Sequence, residues 1–193
     1  RVCSMGASSL DSRCVDRLFA LARERYAIKL RRQSGELRPW SNDPLLAKYH
    51  LCNVFRDDDA VSRYIMTVLL PANRGRAWET VTVGRLVNNE TSLAELYSAG
   101  TLVQDWRQAL QRVQINTSAY KINTPRGLNS RDGIAEMIEK AQALTWPESV
   151  TELAAARRAL ERVMRPFIAY QAAQDLKGSV LSLRPADDET WTY

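Results

Sequence analysis

Helix-start and helix-stop residues recur along almost the whole chain, and they constrain its fold more than any other feature. Residues 12–33 set Val15, Leu18, Phe19, Ala22, Tyr26 and Leu30 close to a 3.6-residue period, with Ser12 as a start and Gly35 as a stop. Asp43-Pro44 opens a second helix over 44–56, with Asp43 at the N-cap and Pro44 at the first helical position, where a missing N–H costs nothing. Leu45, Leu46, Tyr49, Leu51 and Phe55 supply its apolar side. Asp57-Asp58-Asp59 crowds carboxylates into the first turn of a helix over 57–70, where the macrodipole favours them, so Asp57 and Asp58 are read as capping; Pro71 ends this helix. A helix over 75–88 follows. Ser92-Leu93-Ala94-Glu95 fits a capping box for a short helix ended near Gly100, and residues 102–113 form another. The polar, β-branched stretch 115–130 with Pro125 and Gly127 predicts a long ordered loop. Helices are expected again over 130–144, 149–164 and 166–177, the last opened by Pro166, followed by a tail over 179–193. These signals predict one all-α domain over 11–193, with residues 1–10 a disordered or leftover edge.

Charge and composition narrow the function. The formal charge is +5, which permits an anionic partner. Arginines cluster at Arg31-Arg32 and Arg38, Arg74 and Arg76, Arg157-Arg158, and Arg162 and Arg165, and a guanidinium fork suits phosphate oxygens and base edges. Nucleic acid and a plain solvated basic surface both fit this pattern. Cys3, Cys14 and Cys52 lack metal-ligand spacing, and an odd count without a signal peptide reads as reduced intracellular thiols. His50 is the single histidine, which excludes a two-histidine metal site and disfavours Ser/His or Cys/His nucleophiles, leaving carboxylates as acid–base groups. No phosphate-cradling glycine loop, dinucleotide fingerprint, CxxC or HExxH occurs. No cofactor and no metal are therefore expected. No run approaches the roughly 18 apolar residues of a membrane span, so no membrane partner is expected.

Two segments carry a density of directional groups that a plain core helix does not need. In the first, Tyr49, Asn53 and Arg56 share one helix face, and Asp59 and Arg63 are an i,i+4 pair on the next helix. If the two helices pack antiparallel, Asn53, Arg56, Asp59 and Arg63 converge. Such a set can read a base edge, with Asp59 orienting an arginine, or can serve as a buried ion-pair network that fixes a helix hairpin. In the second, Arg165 stands beside a helix N-terminus opened by Pro166, which offers either a phosphate seat or an ordinary αα-hairpin.

From Pro39 to Tyr64 the chain matches PW-x-x-DP-x-L-x-x-Y-x-x-CNVFR-x-x-D-x-VSRY. Pro166, Phe167, Ala169, Tyr170, Gln171, Asp175 and Leu176 match most of a second element, GPF-x-AYQ-x-x-x-DL. On these residues the chain resembles the helical glycosylase-like proteins of phage thymine hypermodification. These are the α-glutamyl/putrescinyl thymine pyrophosphorylases, or amino acid:DNA transferases, and the similar helical domain of 5-hydroxymethyluracil DNA kinases. The resemblance implies an all-α, helix-hairpin-helix DNA glycosylase-like domain. Its implied partners are double-stranded DNA containing modified thymine and a 5-hydroxymethyluracil DNA kinase, in a host cytoplasm for a phage protein or a nucleus for a eukaryotic one. Its implied chemistry is transfer of an amine or amino acid to the 5-methylene carbon of phosphorylated 5-hydroxymethyluracil. A non-catalytic DNA-binding domain and a base-excising glycosylase are the alternatives.

Residue type suggests roles within that chemistry. Arg56 and Arg63 would face the leaving phosphate, Asp59 would act as base, and Trp40, Tyr49 and Tyr64 would line a base pocket with Asn53 and Gln171. Arg126, Arg162 and Arg165 would bind DNA phosphates. The catalytic aspartate of glycosylase relatives falls on Asp187 or Asp188. Where the family hairpin usually has glycines, this chain has Val163 and Arg165.

Overall fold

A computed structural model describes residues 12–49, 58–98, 103–115, 130–144 and 152–177. Its elements are helices, with no strand among the described residues. Contacts divide the chain into two compact units, Arg1–Asp58 and Asp59–Tyr193.

The first unit is built on α1 (Ser12–Gln33) and α2 (Pro44–Tyr49). α1 ends as its sequence requires. Gly35 takes φ +78°, and the Glu36 N–H folds back onto the Arg31 carbonyl at 3.0 Å, a left-handed closure that glycine makes without strain. Asp43 caps α2 as expected, its Oδ1 accepting from the N–H groups of Leu45 and Leu46 at 2.9 and 3.0 Å. Ile28 and Leu46 form a small core against which Trp40 packs. Asp58 was expected to cap the following helix. It forms an ion pair with Lys29 Nζ at 2.6 Å instead, because the helix starts later and the capping position falls to Asp59.

The second unit opens with α3 (Ala60–Tyr64), which runs through a π-helical segment (Ile65–Leu69) into α4 (Leu70–Ala72). Pro71 therefore lies inside the helix and does not end it. A proline ring normally presses on the carbonyl four residues back, here that of Thr67. The wider π turn directly before it, in which Leu70 N–H reaches the Ile65 carbonyl, is the kind of local widening that accommodates a proline within a helix. Asn73 then closes the helix, its side-chain amide donating to the Leu69 carbonyl at 2.8 Å.

A 3₁₀ turn (Arg74–Arg76) leads into α5 (Ala77–Val87), the axis of the unit. Every α5 residue is buried. α5 packs against α8 and α10, and touches α6 and the π segment. It ends on Asn88, the one non-glycine left-handed residue among those described, at φ 48°. Gly84 is what lets the π segment approach: a Cβ there would lie 2.5 Å from Ile65 Cδ1 and 2.8 Å from its Cγ1.

α6 (Glu90–Tyr97) starts earlier than the capping box proposed. Asn89, not Ser92, is the cap, its side chain accepting from Ser92 N–H at 3.0 Å. α7 (Trp106–Arg112) is shorter than 102–113, since Asp105 accepts from Gln108 N–H at 3.0 Å and so sets the start. α8 (Ser130–Gln142) follows; the loop expected over 115–130 lies almost wholly outside the described residues. α9 (Leu153–Leu160) stops before 164, its last turns closing as Val163 and Met164 N–H groups return to the Leu160 carbonyl. α10 (Pro166–Lys177) spans the range its proline predicted. α9 and α10 pack as a tight pair, and one core running from Ile65 to Leu176 joins all these helices. Each fully buried Leu or Ile in it contributes about 1.5–3 kcal/mol of transfer free energy.

Candidate functional site

In the second unit, the two sequence elements meet through a residue that lies in neither. Asp59 sits at the α3 N-cap with extended backbone, and its Oδ2 accepts from Ser62 N–H at 2.8 Å and from Ser62 Oγ at 2.6 Å. Ser62 Oγ in turn accepts from Arg85 Nη2 at 2.6 Å. Arg85 Nε donates to Asp175 Oδ2 at 2.5 Å, and Arg85 Nη1 lies 3.7 Å from Asp59 Oδ2. Ser62 and Asp175 are fully buried and Arg85 is 3% exposed, whereas the Asp59 side chain is 39% exposed. A hydrogen-bonded path thus runs from a carboxylate at the surface to a carboxylate in the core, with one guanidinium between them. Inside a protein such a charge persists only when paired and hydrogen-bonded, and Arg85 meets both conditions.

Arg85 and Ser62 were not singled out as site residues, and Asp175 was recorded only as a letter of its motif. One signal was available: an arginine within Val81-Thr82-Val83-Gly84-Arg85-Leu86-Val87, a run otherwise fit for burial on all sides.

The remaining predicted site residues of this unit lie around that network. Arg63 is exposed on the outer side of α3, and its backbone N–H donates to the Asp59 carbonyl at 2.9 Å. Tyr64 is half-buried against the core. Gln171 is half-buried on α10. Arg162 and Arg165 are exposed in the α9–α10 turn, and Phe167 beside them is 59% exposed. The Arg165 carbonyl accepts from Ala169 N–H at 2.9 Å, which makes Arg165 the residue before Pro166 in helix N-cap position. Asn53, Arg56, Arg126, Asp187 and Asp188 lie outside the described residues, and with them the convergence expected of Asn53 and Arg56 with Asp59 and Arg63. Tyr49 is the last residue of α2.

A second polar cluster flanks α5. Glu79, 4% exposed, accepts from Arg76 Nε at 2.9 Å and Gln142 Nε2 at 3.1 Å. Burial pushes the nearby Tyr97 phenol well above its ordinary value, and the Glu79 charge acts in the same direction.

The first unit holds a cavity of about 390 Å3 lined by Glu24, Arg31 and Glu36 together with Pro39–Asp43, the opening residues of the first sequence element. Arg31 Nη1 donates to the Trp40 carbonyl and lies 3.5 Å from Glu24 Oε1. Trp40 Nε1 donates to the Glu36 carbonyl at 2.7 Å. The Arg38 guanidinium stands over the Trp40 ring, 4.7 Å from its centroid, so the ring surface expected to stack a base already carries a cation.

Among the described residues no group of carboxylates, cysteines or histidines is placed to hold a metal ion, and no helix is long and apolar enough to cross a membrane. An all-helical domain whose two sequence elements are joined through one buried arginine is the class these features define. The chain belongs to the family described as 5-hmdU DNA kinase, helical domain, whose model matches residues 12–192. Membership sets it in the context of thymine modification in DNA. No curated protein and no solved structure matches the chain.

Proposed function

We propose that the domain engages double-stranded DNA carrying 5-hydroxymethyluracil or its phosphorylated form, in association with a 5-hydroxymethyluracil DNA kinase. The observation that carries this reading is the α9–α10 turn, where Arg162, Arg165 and Phe167 are all exposed on a hairpin whose second helix is anchored by buried Asp175. Guanidinium groups on a rigid turn suit phosphate oxygens, and an exposed aromatic beside them suits a base or sugar face. Membership of a family set in thymine modification supports that choice of substrate.

The test is the salt dependence of duplex binding by fluorescence anisotropy, comparing the chain with an Arg162→Ala/Arg165→Ala variant. Each lost phosphate contact removes about 0.9 from the slope of log K against log salt, so the double variant should lose close to 2. Both side chains are exposed, so folding should be intact by circular dichroism. An unchanged slope refutes the turn as the contact surface.

Asp59 favours a second reading, amine transfer. It is the outermost carboxylate of the network and the one open to solvent. In this reading Asp59 takes a proton from an ammonium group, and the neutral amine attacks the 5-methylene carbon. The carbon–oxygen bond to phosphate breaks, and phosphate leaves toward Arg63. Asp187 and Asp188 belong to the glycosylase alternative, which would release free base. Nucleoside mass spectrometry of treated phosphorylated 5-hydroxymethyluracil DNA separates these: a mass gain supports transfer, a lost base supports excision, and an unchanged nucleoside refutes both.

A further inference from the structure

The link between Asp59 and the core does more than cap a helix. Asp43 and Asp105 cap α2 and α7 by accepting backbone N–H groups. Asp59 accepts the Ser62 N–H in the same way, at 2.8 Å, and also the Ser62 hydroxyl at 2.6 Å. That hydroxyl is held in turn by Arg85 Nη2 at 2.6 Å. A cap needs neither the hydroxyl nor the arginine.

The direction of these bonds follows from the chemistry of their ends. A guanidinium donates and cannot accept, so Ser62 Oγ accepts from Arg85. A hydroxyl has a single proton to give, and the bond to Asp59 Oδ2 takes it. Asp59 Oδ2 therefore receives two donors from Ser62, which favours the ionised carboxylate. The groups behind it are fixed by burial. Ser62 and Asp175 are fully buried, and Arg85, 3% exposed, is clamped by Asp175 Oδ2 at 2.5 Å. The charged groups set against Asp59 from the helices behind it are Arg85 on α5, at 3.7 Å, and Asp175 on α10 beyond Arg85. Asp58, the preceding residue, is paired with Lys29.

We propose that Ser62 and Arg85 are positioning residues for Asp59, holding its carboxylate ionised and in one orientation at the surface. This role rests on the amine-transfer reading, in which Asp59 is the base. A base must be unprotonated and correctly aimed before it can take a proton from an ammonium group. Asp175 supplies the buried counter-charge that lets Arg85 stay in the interior and keep the Ser62 hydroxyl turned toward Asp59.

The test is a pH titration of the Asp59 carboxyl carbon by NMR in the full chain, its signal assigned by its loss in Asp59→Asn. Ser62→Ala removes the hydroxyl and keeps the backbone N–H cap, so the Asp59 midpoint should rise by about one pH unit, a roughly tenfold gain in proton affinity. Ser62→Cys, close in size and a weaker donor, should raise it by less, and it serves if the alanine variant folds poorly. A purely structural role for Ser62 would lower stability without moving the midpoint. A midpoint that stays or falls in the variants overturns the proposal. The acid limb of amine transfer against pH should move by the same amount in Ser62→Ala. A limb that stays while the midpoint moves refutes Asp59 as the base and leaves its positioning standing. If the unsubstituted chain transfers no amine, the transfer reading fails, and the titration still decides what holds Asp59.

Discussion

Replacing Asp175 by Asn isolates the charge at the buried end of the network. The substitution is nearly isosteric, so it opens no cavity, and the amide oxygen can still accept from Arg85 Nε. What is lost is the counter-charge 2.5 Å from a guanidinium that is 3% exposed. Removing one member of a buried pair costs about 3–5 kcal/mol because the other charge remains in the interior. Asp59 moderates the loss, since its carboxylate lies 3.7 Å from Arg85 Nη1, but it is 39% exposed and therefore screened. The expected cost is thus near the lower end, about 3 kcal/mol, and at about 2–4 °C per kcal/mol for a chain of this size the melting temperature should fall by about 6–12 °C. Thermal and urea unfolding followed by circular dichroism at matched pH measure it. The paired replacement Arg85→Met/Asp175→Leu should recover most of the loss, because it removes the stranded charge along with its partner. A change below about 1 kcal/mol for Asp175→Asn would refute the claim that this pair is electrostatically isolated from solvent.

Other expectations follow from local geometry. Gly84→Ala should destabilise by about 1–3 kcal/mol in the same unfolding assay, since the new methyl would overlap the fully buried Ile65 side chain. Asp59→Ala should cost about 1 kcal/mol through the lost cap, while Asp59→Asn should keep the cap and abolish any base function, so unfolding and activity measurements on the two variants part structure from chemistry. Because burial raises the Tyr97 phenol above its unfolded value near 10, the folded chain keeps a proton there that the unfolded chain has lost. Its stabilising contribution is whole below pH 10 and should fall by about 1.4 kcal/mol per unit above it, visible as a declining urea midpoint that Tyr97→Phe suppresses.

Where a signal was local, the chain was legible. The α1 stop at Gly35, the Asp43 cap and the Pro166 start each depend on residues within one turn, and each occurs where its chemistry demands. Competing local signals were harder. Ser92 and Asn89 both suit an N-cap, and here the Asn89 side chain takes the Ser92 N–H, which puts Ser92 inside the first turn. Pro71 misled because a π turn can absorb a proline, and nothing in the sequence announces that turn short of the neighbouring Gly84 it packs on. The network was the least legible feature. Asp59 and Arg63 were matched by helical spacing, yet the cation bridging Asp59 and Asp175 comes from a different helix, and spacing rules reach no further than a turn or two. A charged residue inside an apolar run was the only trace it left.

Arg85 and Asp175 are 90 positions apart, and that separation governs the order in which the second unit can be completed during synthesis. α5 leaves the ribosome long before α10, so the central helix exists for a time with a cation that has no interior counterpart. Until the last described helix arrives, enclosing α5 would strand that charge at the cost of its desolvation. Closure of the core is therefore expected to await Asp175 on α10. A nascent chain stalled before residue 175 should accordingly remain protease-sensitive throughout the second unit, and protection should appear abruptly once α10 has emerged.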